Sequence, residues 1–240
     1  MIRLAVLALL LLPSVAQAAC RNMTFDDAPF TICDVQASED LRLFSTGPDG
    51  NLGSFNAVDD MLATQGKALD FAMNAGMYHR DHSPVGLFVA DGVETAALVT
   101  RDGPGNFGLL PNGALCITDH FAVIESHAFA DVKPACTYAT QSGPMLVIDG
   151  VLHPKFLVDS PSTYIRNGVG VSADGQTAIF AISDVAVNFH TFARLFRDAL
   201  GTPNALYFDG SISRLYAPDL GRHDAGLPMG PIIGTVVDKG

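Results

Sequence analysis

The sequence predicts an α+β fold, a single domain with a large mixed or antiparallel sheet and a few helices packed on it. Three observations lead there. Apolar runs of about four to eight residues recur along the chain, separated by Gly, Asn, Asp and Pro turn signals. Only two stretches carry an apolar stripe at helical spacing, one opening at Ser54 and one at Asn188. No Ser/Pro-rich linker, charge block or low-complexity segment divides the chain, whose length suits one large domain.

The first residues are set apart from that fold. Met1-Ile2-Arg3 is a positive start, Leu4 to Leu12 an apolar run too short to span a bilayer, and Ala16-Gln17-Ala18 a small-residue cleavage signal. They read as a signal peptide over 1–18, leaving a domain over 19–240. Cys20 raises a lipidation alternative, which Gln17 disfavours because such signals usually carry leucine there. No later run is apolar and long enough to cross a membrane, so the expectation is an exported protein, periplasmic or secreted, with no membrane insertion. The formal charge is −11, one unit more negative once Arg3 leaves with the signal. An acidic chain argues against nucleic acid and anionic membrane surfaces as partners. It leaves room for an anionic ligand where one or two arginines converge. Four cysteines in an oxidising compartment suggest two disulfides. Three pairings are open, and the simplest joins Cys20 to Cys33 and Cys116 to Cys136.

After the N-terminal arm, Leu41-Arg42-Leu43-Phe44 reads as an edge strand. Ser54 caps a helix with Phe55, Val58, Met61 and Leu62 on one face, ending at Gly66. Phe71-Ala72-Met73 and Val85 to Ala90 read as buried strands of a long hairpin whose loop is polar, Tyr78-His79-Arg80-Asp81-His82. Short strands follow at Thr95 to Thr100, Phe107 to Leu110, Ala114 to Thr118 and Phe121 to Glu125, with Asn112-Gly113 as a hairpin signal. Met145 to Ile148 is another strand, and Val169 to Ser172 pairs with Ala178 to Ile182 around Ala173-Asp174-Gly175. Asn188 caps a second helix with Phe189, Phe192, Ala193, Phe196, Ala199 and Leu200 on one stripe, ended by Gly201 and Pro203. Ala205-Leu206-Tyr207-Phe208 is a buried strand, and Met229 to Val237 a final one.

One pattern carries the candidate chemistry. Apolar strands meet a polar residue beside glycine at Asn74-Ala75-Gly76, Gln141-Ser142-Gly143 and Asp209-Gly210-Ser211. Glycine lets a ligand approach the backbone, and Asn, Ser and Asp supply orienting hydrogen bonds. Most Asp-Gly pairs here are turns, but four apolar residues precede Asp209. Arg166 offers a planar fork for a phosphate or carboxylate, with a surface salt bridge as the plainer reading. His79, Asp81 and His82, with His190 or His223, form a weak metal-ligand pattern in what reads more simply as a solvated loop. Ser142 lacks the nucleophile-elbow context, and no Walker or dinucleotide motif occurs. No cofactor is called for, and a divalent cation is left open but not indicated.

These residues carry a resemblance. Asn74-Ala75-Gly76-Met77-Tyr78 with Gly86 to Gly92, Asn106-Phe107-Gly108, Gln141-Ser142-Gly143-Pro144, Arg166 before Val169-Gly170, and Ala205 to Gly210 occur in the order of the blocks of the phosphodiester glycosidase family. The resemblance spans Leu69 to Tyr216. It implies hydrolysis of a sugar 1-phosphodiester, with a sugar-phosphate or phosphorylated envelope or extracellular glycan as substrate. Arg166 would hold the phosphate, Asp209 would act as base or stabiliser at the anomeric carbon, and Asn74 would orient the substrate. Gly76, Ser142, Gly143, Gly210, Ser213 and His79 complete the expected binding set. The chain departs from the family's Asp-Gly-Gly-Gly-Ser in reading Asp209-Gly210-Ser211-Ile212-Ser213, and two added side chains are expected to narrow the site. That departure motivates the alternative of a non-catalytic binding module for an anionic envelope glycan. Metal-dependent hydrolysis through His79 and His82 is the third reading.

Overall fold

The structure, a computed structural model, describes residues 18–48 and 50–239. The leader expected at 1–18 lies outside them except for Ala18. The fold is α+β, with most strands divided among three sheets rather than joined in one. The largest has seven strands in the order Ala19–Phe25, Ala28–Gln36, Thr177–Ser183, Asn167–Val171, Asn204–Tyr207, Met145–Ile148 and Val151–Leu152. A second runs Phe121–Glu125, Gly113–Ile117, Tyr138–Ser142, Phe88–Ala90, Val93–Ala96. The third runs Arg222–His223, Leu215–Ala217, Lys67–Asn74, Ile232–Asp238, Leu41–Phe44. Every strand pairing in these sheets is antiparallel among the described residues.

Strand periodicity explains how the sheets are stacked. Successive side chains alternate faces, so Phe208, Val169, Phe180, Phe71, Met73, Leu115 and Ile233 point into one central core shared by all three sheets. The opposite faces carry a second apolar layer, and a helix covers each. Helix α1, Phe55–Ala63, lays Phe55, Val58 and Leu62 over Leu69, Ala72 and Ile232. Helix α2, Ser126–Val132, places Phe129 over Ala114, Cys116 and Ala139. Helix α3, Phe189–Arg194, continues as a π-helical turn to Ala199 and sets Phe192 and Phe196 against Phe30, Ile32 and Tyr207.

The caps explain two of these helices. Ser54 Oγ accepts the Ala57 amide at 3.2 Å, and Asn188 Oδ1 accepts the Thr191 amide at 2.9 Å. Helix α2 was not expected, being short and capped by a glutamate: Glu125 Oε2 accepts the amides of His127 and Ala128 at 2.9 and 3.1 Å. Asp91-Gly92 and Asp149-Gly150 both turn with positive φ at each residue, the backbone a tight hairpin needs. The disulfides join Cys20 to Cys33, across the N-terminal hairpin, and Cys116 to Cys136.

Three local expectations are corrected. The strands flanking the polar loop do not form a hairpin: Lys67–Asn74 belongs to the third sheet and Phe88–Ala90 to the second, so the loop crosses between layers. Phe107 to Leu110 is a run of turns, not a strand. Asn112-Gly113 is not a hairpin tip but the buried entry to Gly113–Ile117. There Asn112 Nδ2 donates to the Phe107 carbonyl at 2.9 Å and Oδ1 accepts from Ser126 Oγ at 2.6 Å. Tertiary hydrogen bonds there override the local turn preference.

Candidate active site

The ends of strands from the three sheets meet at one place. Asn74 closes Lys67–Asn74, Asn167 opens Asn167–Val171, Asp209 follows Asn204–Tyr207, and Ser142 closes Tyr138–Ser142. Asn74 and Asn167 are both fully buried amides, and buried amides require partners. Asn167 Nδ2 donates to Asn74 Oδ1 at 2.7 Å and to the Asn74 carbonyl at 3.2 Å. Asn167 Oδ1 accepts the Asn74 side-chain amide at 3.3 Å and the Asp209 backbone amide at 3.2 Å. The Ser213 hydroxyl is 2.8 Å from the Asp209 carbonyl and 3.0 Å from that of Ile165. Ser142 Oγ donates to the Phe208 carbonyl at 2.7 Å. Asn74, Ser142, Asp209 and Ser213 are therefore parts of one polar network, with Asn167 as its centre.

The Asp209 carboxyl is partly buried in the turn it begins. Burial pushes its pKa up from the ordinary 3.8, and the amides of Ser211, Ile212 and Gly210 pull it partly back. Its Oδ1 accepts the Ser211 amide at 2.8 Å. No arginine or lysine pairs with this carboxylate among the described residues. Tyr78 lies close by: burial raises its phenol pKa, the Asp209 carboxylate raises it further, and Arg214 draws it down.

Arg166 is placed differently from the accessible fork that was expected. Because Asn167 faces the central core, Arg166, one residue earlier, faces the opposite side of the sheet. It is 0% exposed there, with its Cζ 3.6 Å over the Phe189 ring. Its Nε donates to the Val187 carbonyl at 2.8 Å and its Nη2 to that of Ser162 at 2.9 Å. Only Nη1 is left, buried without a hydrogen-bond partner, as is the Tyr207 hydroxyl. These two groups do not meet at hydrogen-bond geometry. They are near enough that Tyr207 offsets part of the burial that lowers the arginine's pKa. Tyr207 in turn touches the Asp209 turn: a Cβ on Gly210 would stand 2.0 Å from its hydroxyl oxygen, so only glycine fits there. Arg166 thus reaches Asp209 through Tyr207, and two of its three nitrogens are committed to the protein's own carbonyls.

The remaining expected residues divide. A Cβ on Gly76 would fall 2.4 Å from the Gln141 carbonyl oxygen, so that glycine admits a neighbouring strand. Gly143 packs on Asn112, where a Cβ would be 2.6 Å from that residue's own Cβ. His79 is exposed on the loop, and among the described residues no hydrogen bond joins its side chain to the Asn74–Asp209 network. His82 stacks on Tyr78 with ring centroids 5.6 Å apart, whereas His223 packs beside Phe55 and Tyr216. Among the described residues no three His, Cys, Asp or Glu side chains gather as a metal site would require. A groove of about 570 Å³ lined by Arg42, Asp81, His82, Asp91 and Tyr138 includes none of Asn74, Arg166 and Asp209.

The narrowing expected from Ser211 and Ile212 is corrected for the larger of the two. Ile212 turns away and packs against the apolar layer beneath α1, with Phe44, Phe55 and Met229. Ser211 is exposed. Ile212→Gly is therefore expected to cost about 2 kcal/mol of stability in urea denaturation and to bring no gain in activity. A faster, equally stable variant would show that Ile212 obstructs the site instead.

Comparison with known proteins places the chain. The family model for phosphodiester glycosidase matches residues 67–225. The chain belongs to the phosphodiester glycosidase family. It is 34% identical over 215 residues to the uncharacterized protein YigE of Escherichia coli strain K12, covering 88% of this chain and 83% of that one. Its fold is similar to the catalytic domain of zebrafish N-acetylglucosamine-1-phosphodiester alpha-N-acetylglucosaminidase, auto-inhibited by its pro-peptide. That match has a TM-score of 0.61 at 13% identity over 91% of this chain and 82% of the other. It is also similar to a hypothetical protein from Synechocystis, with a TM-score of 0.63 at 14% identity over 92% of this chain and 62% of the other.

Proposed function

We propose that the protein hydrolyses the bond between the anomeric carbon of a sugar and the phosphate of a phosphodiester in an envelope or extracellular glycan. Water attacks the anomeric carbon, the carbon–oxygen bond breaks, and its electron pair leaves with the oxygen as a phosphate monoester. The single observation that carries this reading is the Asp209 carboxyl. It is desolvated, unpaired with any cation among the described residues, and fixed through its backbone to Asn167 and Asn74. A carboxylate so placed suits the positive charge that develops at an anomeric carbon, or removal of the attacking water's proton. Arg166 supports the site from behind, through Tyr207. Two disulfides suit an oxidising compartment, and no helix of the described residues is long and apolar enough to cross a membrane. We place the protein outside the cytoplasm, in the periplasm or secreted.

The test is hydrolysis of a sugar 1-phosphodiester in ¹⁸O-water. Label in the released sugar and none in the phosphate product is the expected result. Label in phosphate would assign P–O cleavage and overturn the reading, and binding without release would favour the non-catalytic glycan module. The rate should also report Asp209 directly. Its raised pKa keeps it protonated to higher pH than an ordinary aspartate, so kcat/KM should fall on the acid side with a midpoint above 3.8. Asp209→Glu should move that midpoint, and a profile flat down to pH 4 would remove the assignment.

A further inference from the structure

With the Arg166 fork turned inward, none of the site residues named so far offers a cation that an anionic substrate can touch. Arg214 has the properties that Arg166 lacks. It directly follows Ser213 and precedes Leu215–Ala217, whose Leu215 pairs with Met73, so its backbone lies beside Asn74. Its amide donates to Asn74 Oδ1 at 2.9 Å, which fixes it to the same network as Asp209.

The guanidinium is positioned rather than trailing in solvent. Nη1 donates to the Leu227 carbonyl, and the group lies against Gly226. A Cβ on Gly226 would stand 2.3 Å from Nη2 and 2.7 Å from Cζ, and φ there is +153°. The backbone conformation there favours glycine, and an added Cβ would push the guanidinium aside. Arg214 is also unpaired in an acidic chain. Arg21, Arg42, Arg194, Arg197 and Arg222 each meet a carboxylate, whereas Arg214 meets none among the described residues. Nε and Nη2, the side-on edge that matches two phosphate oxygens, have no acceptor among the described residues. The charges of Asp209 and Arg214 both act on the Tyr78 phenol, in opposite directions, so each lies within electrostatic reach of that ring.

We propose that Arg214, held in a slot formed by Gly226 and the Leu227 carbonyl, is the residue that grips the phosphate of the substrate, facing Asp209 across the site. This rests on the hydrolase reading for the identity of the substrate but not for the existence of the anion site. Phosphate held by Arg214 at one end sets the anomeric carbon between it and Asp209. The carboxylate remains unpaired because its cation belongs to the ligand's other end.

The experiment titrates inorganic phosphate calorimetrically into the full chain and its variants, each first checked by thermal melting. Sugar release from a 1-phosphodiester is followed in parallel. Arg214→Gln is expected to weaken phosphate binding, and to raise KM, by about tenfold or more. Arg214→Lys should recover only part, since an ammonium lacks the fork. Gly226→Ala should weaken binding with the charge unchanged, by displacing the guanidinium. Arg194→Gln, which removes one positive charge from a surface ion pair, should leave binding as it was. Wild-type affinity in Arg214→Gln and Gly226→Ala, or no phosphate binding by the unmodified chain, overturns the proposal. Phosphate binding that depends on Arg214 without release of sugar from any phosphodiester would sustain the anion site and sink the hydrolase reading. Sugar release with an unchanged KM in Arg214→Gln would do the reverse.

Discussion

Asp209→Asn is expected to slow sugar release by about 10²- to 10⁴-fold while making the protein more stable at neutral pH. The first effect follows from removing the only carboxyl of the Asn74–Asn167 network. The second follows from the sign of the pKa shift. Burial raises the Asp209 pKa, so the folded state favours the protonated acid. The stability this gives is fully present below the unfolded-state pKa and is lost as pH rises through the folded value. At neutral pH the ionised carboxylate therefore burdens the fold, and the neutral amide relieves it. Oδ1 can still accept the Ser211 amide in the variant. The gain in melting temperature should shrink to nothing as pH falls below the ordinary aspartate range. A variant with the wild-type rate, or one destabilised at pH 7, would contradict the assignment. Catalytic groups that weaken their own fold are a recurrent trade between activity and stability.

Asn167→Ala is expected to cost the most stability of any single polar substitution at the site, about 3–5 kcal/mol in urea denaturation. Its side chain serves both the amide of Asn74 and the backbone of Asp209. Truncation leaves those groups buried without partners, which costs more than the bonds themselves contribute. The same change frees the Asp209 turn from Lys67–Asn74, so the rate should fall with it. A loss below about 1 kcal/mol would mean that water or rearrangement replaces the amide and that Asn167 is not the centre of the network.

Much of this was legible in the sequence, for local reasons. Ser54 and Asn188 announced their helices because capping is a matter of three or four consecutive residues. The Asp91-Gly92 turn, the hairpin around Asp174 and the abrupt stop after Phe208 were likewise set by neighbours. What could not be read is what depends on partners distant in sequence. Alternation along a strand shows that Arg166 and Asn167 face opposite ways, but not which way faces substrate. The charge of Arg166 signals a role in the sequence, whereas the neutral amide of Asn167 carries no comparable signal. Tyr207 was concealed in an apolar run that gives no hint of where its hydroxyl ends. Arg214 follows the family-like block by one position, and its slot is made by Gly226 and Leu227, which no spacing rule links to it. Ile212 looked like an obstruction because its side-chain direction is fixed by an apolar layer assembled from α1 and the third sheet.

The shared core with a helix on each outer face has a further consequence. The amide pair rivets two of the three layers together at the point where chemistry is proposed, so altering the pocket floor would loosen the whole assembly. Diversification within such an architecture should therefore be confined to the connecting segments around that floor, such as 78–84 and 154–165, and spare the Asp209 turn. Relatives that accept different sugars or acceptors would keep the riveted floor and exchange the rim.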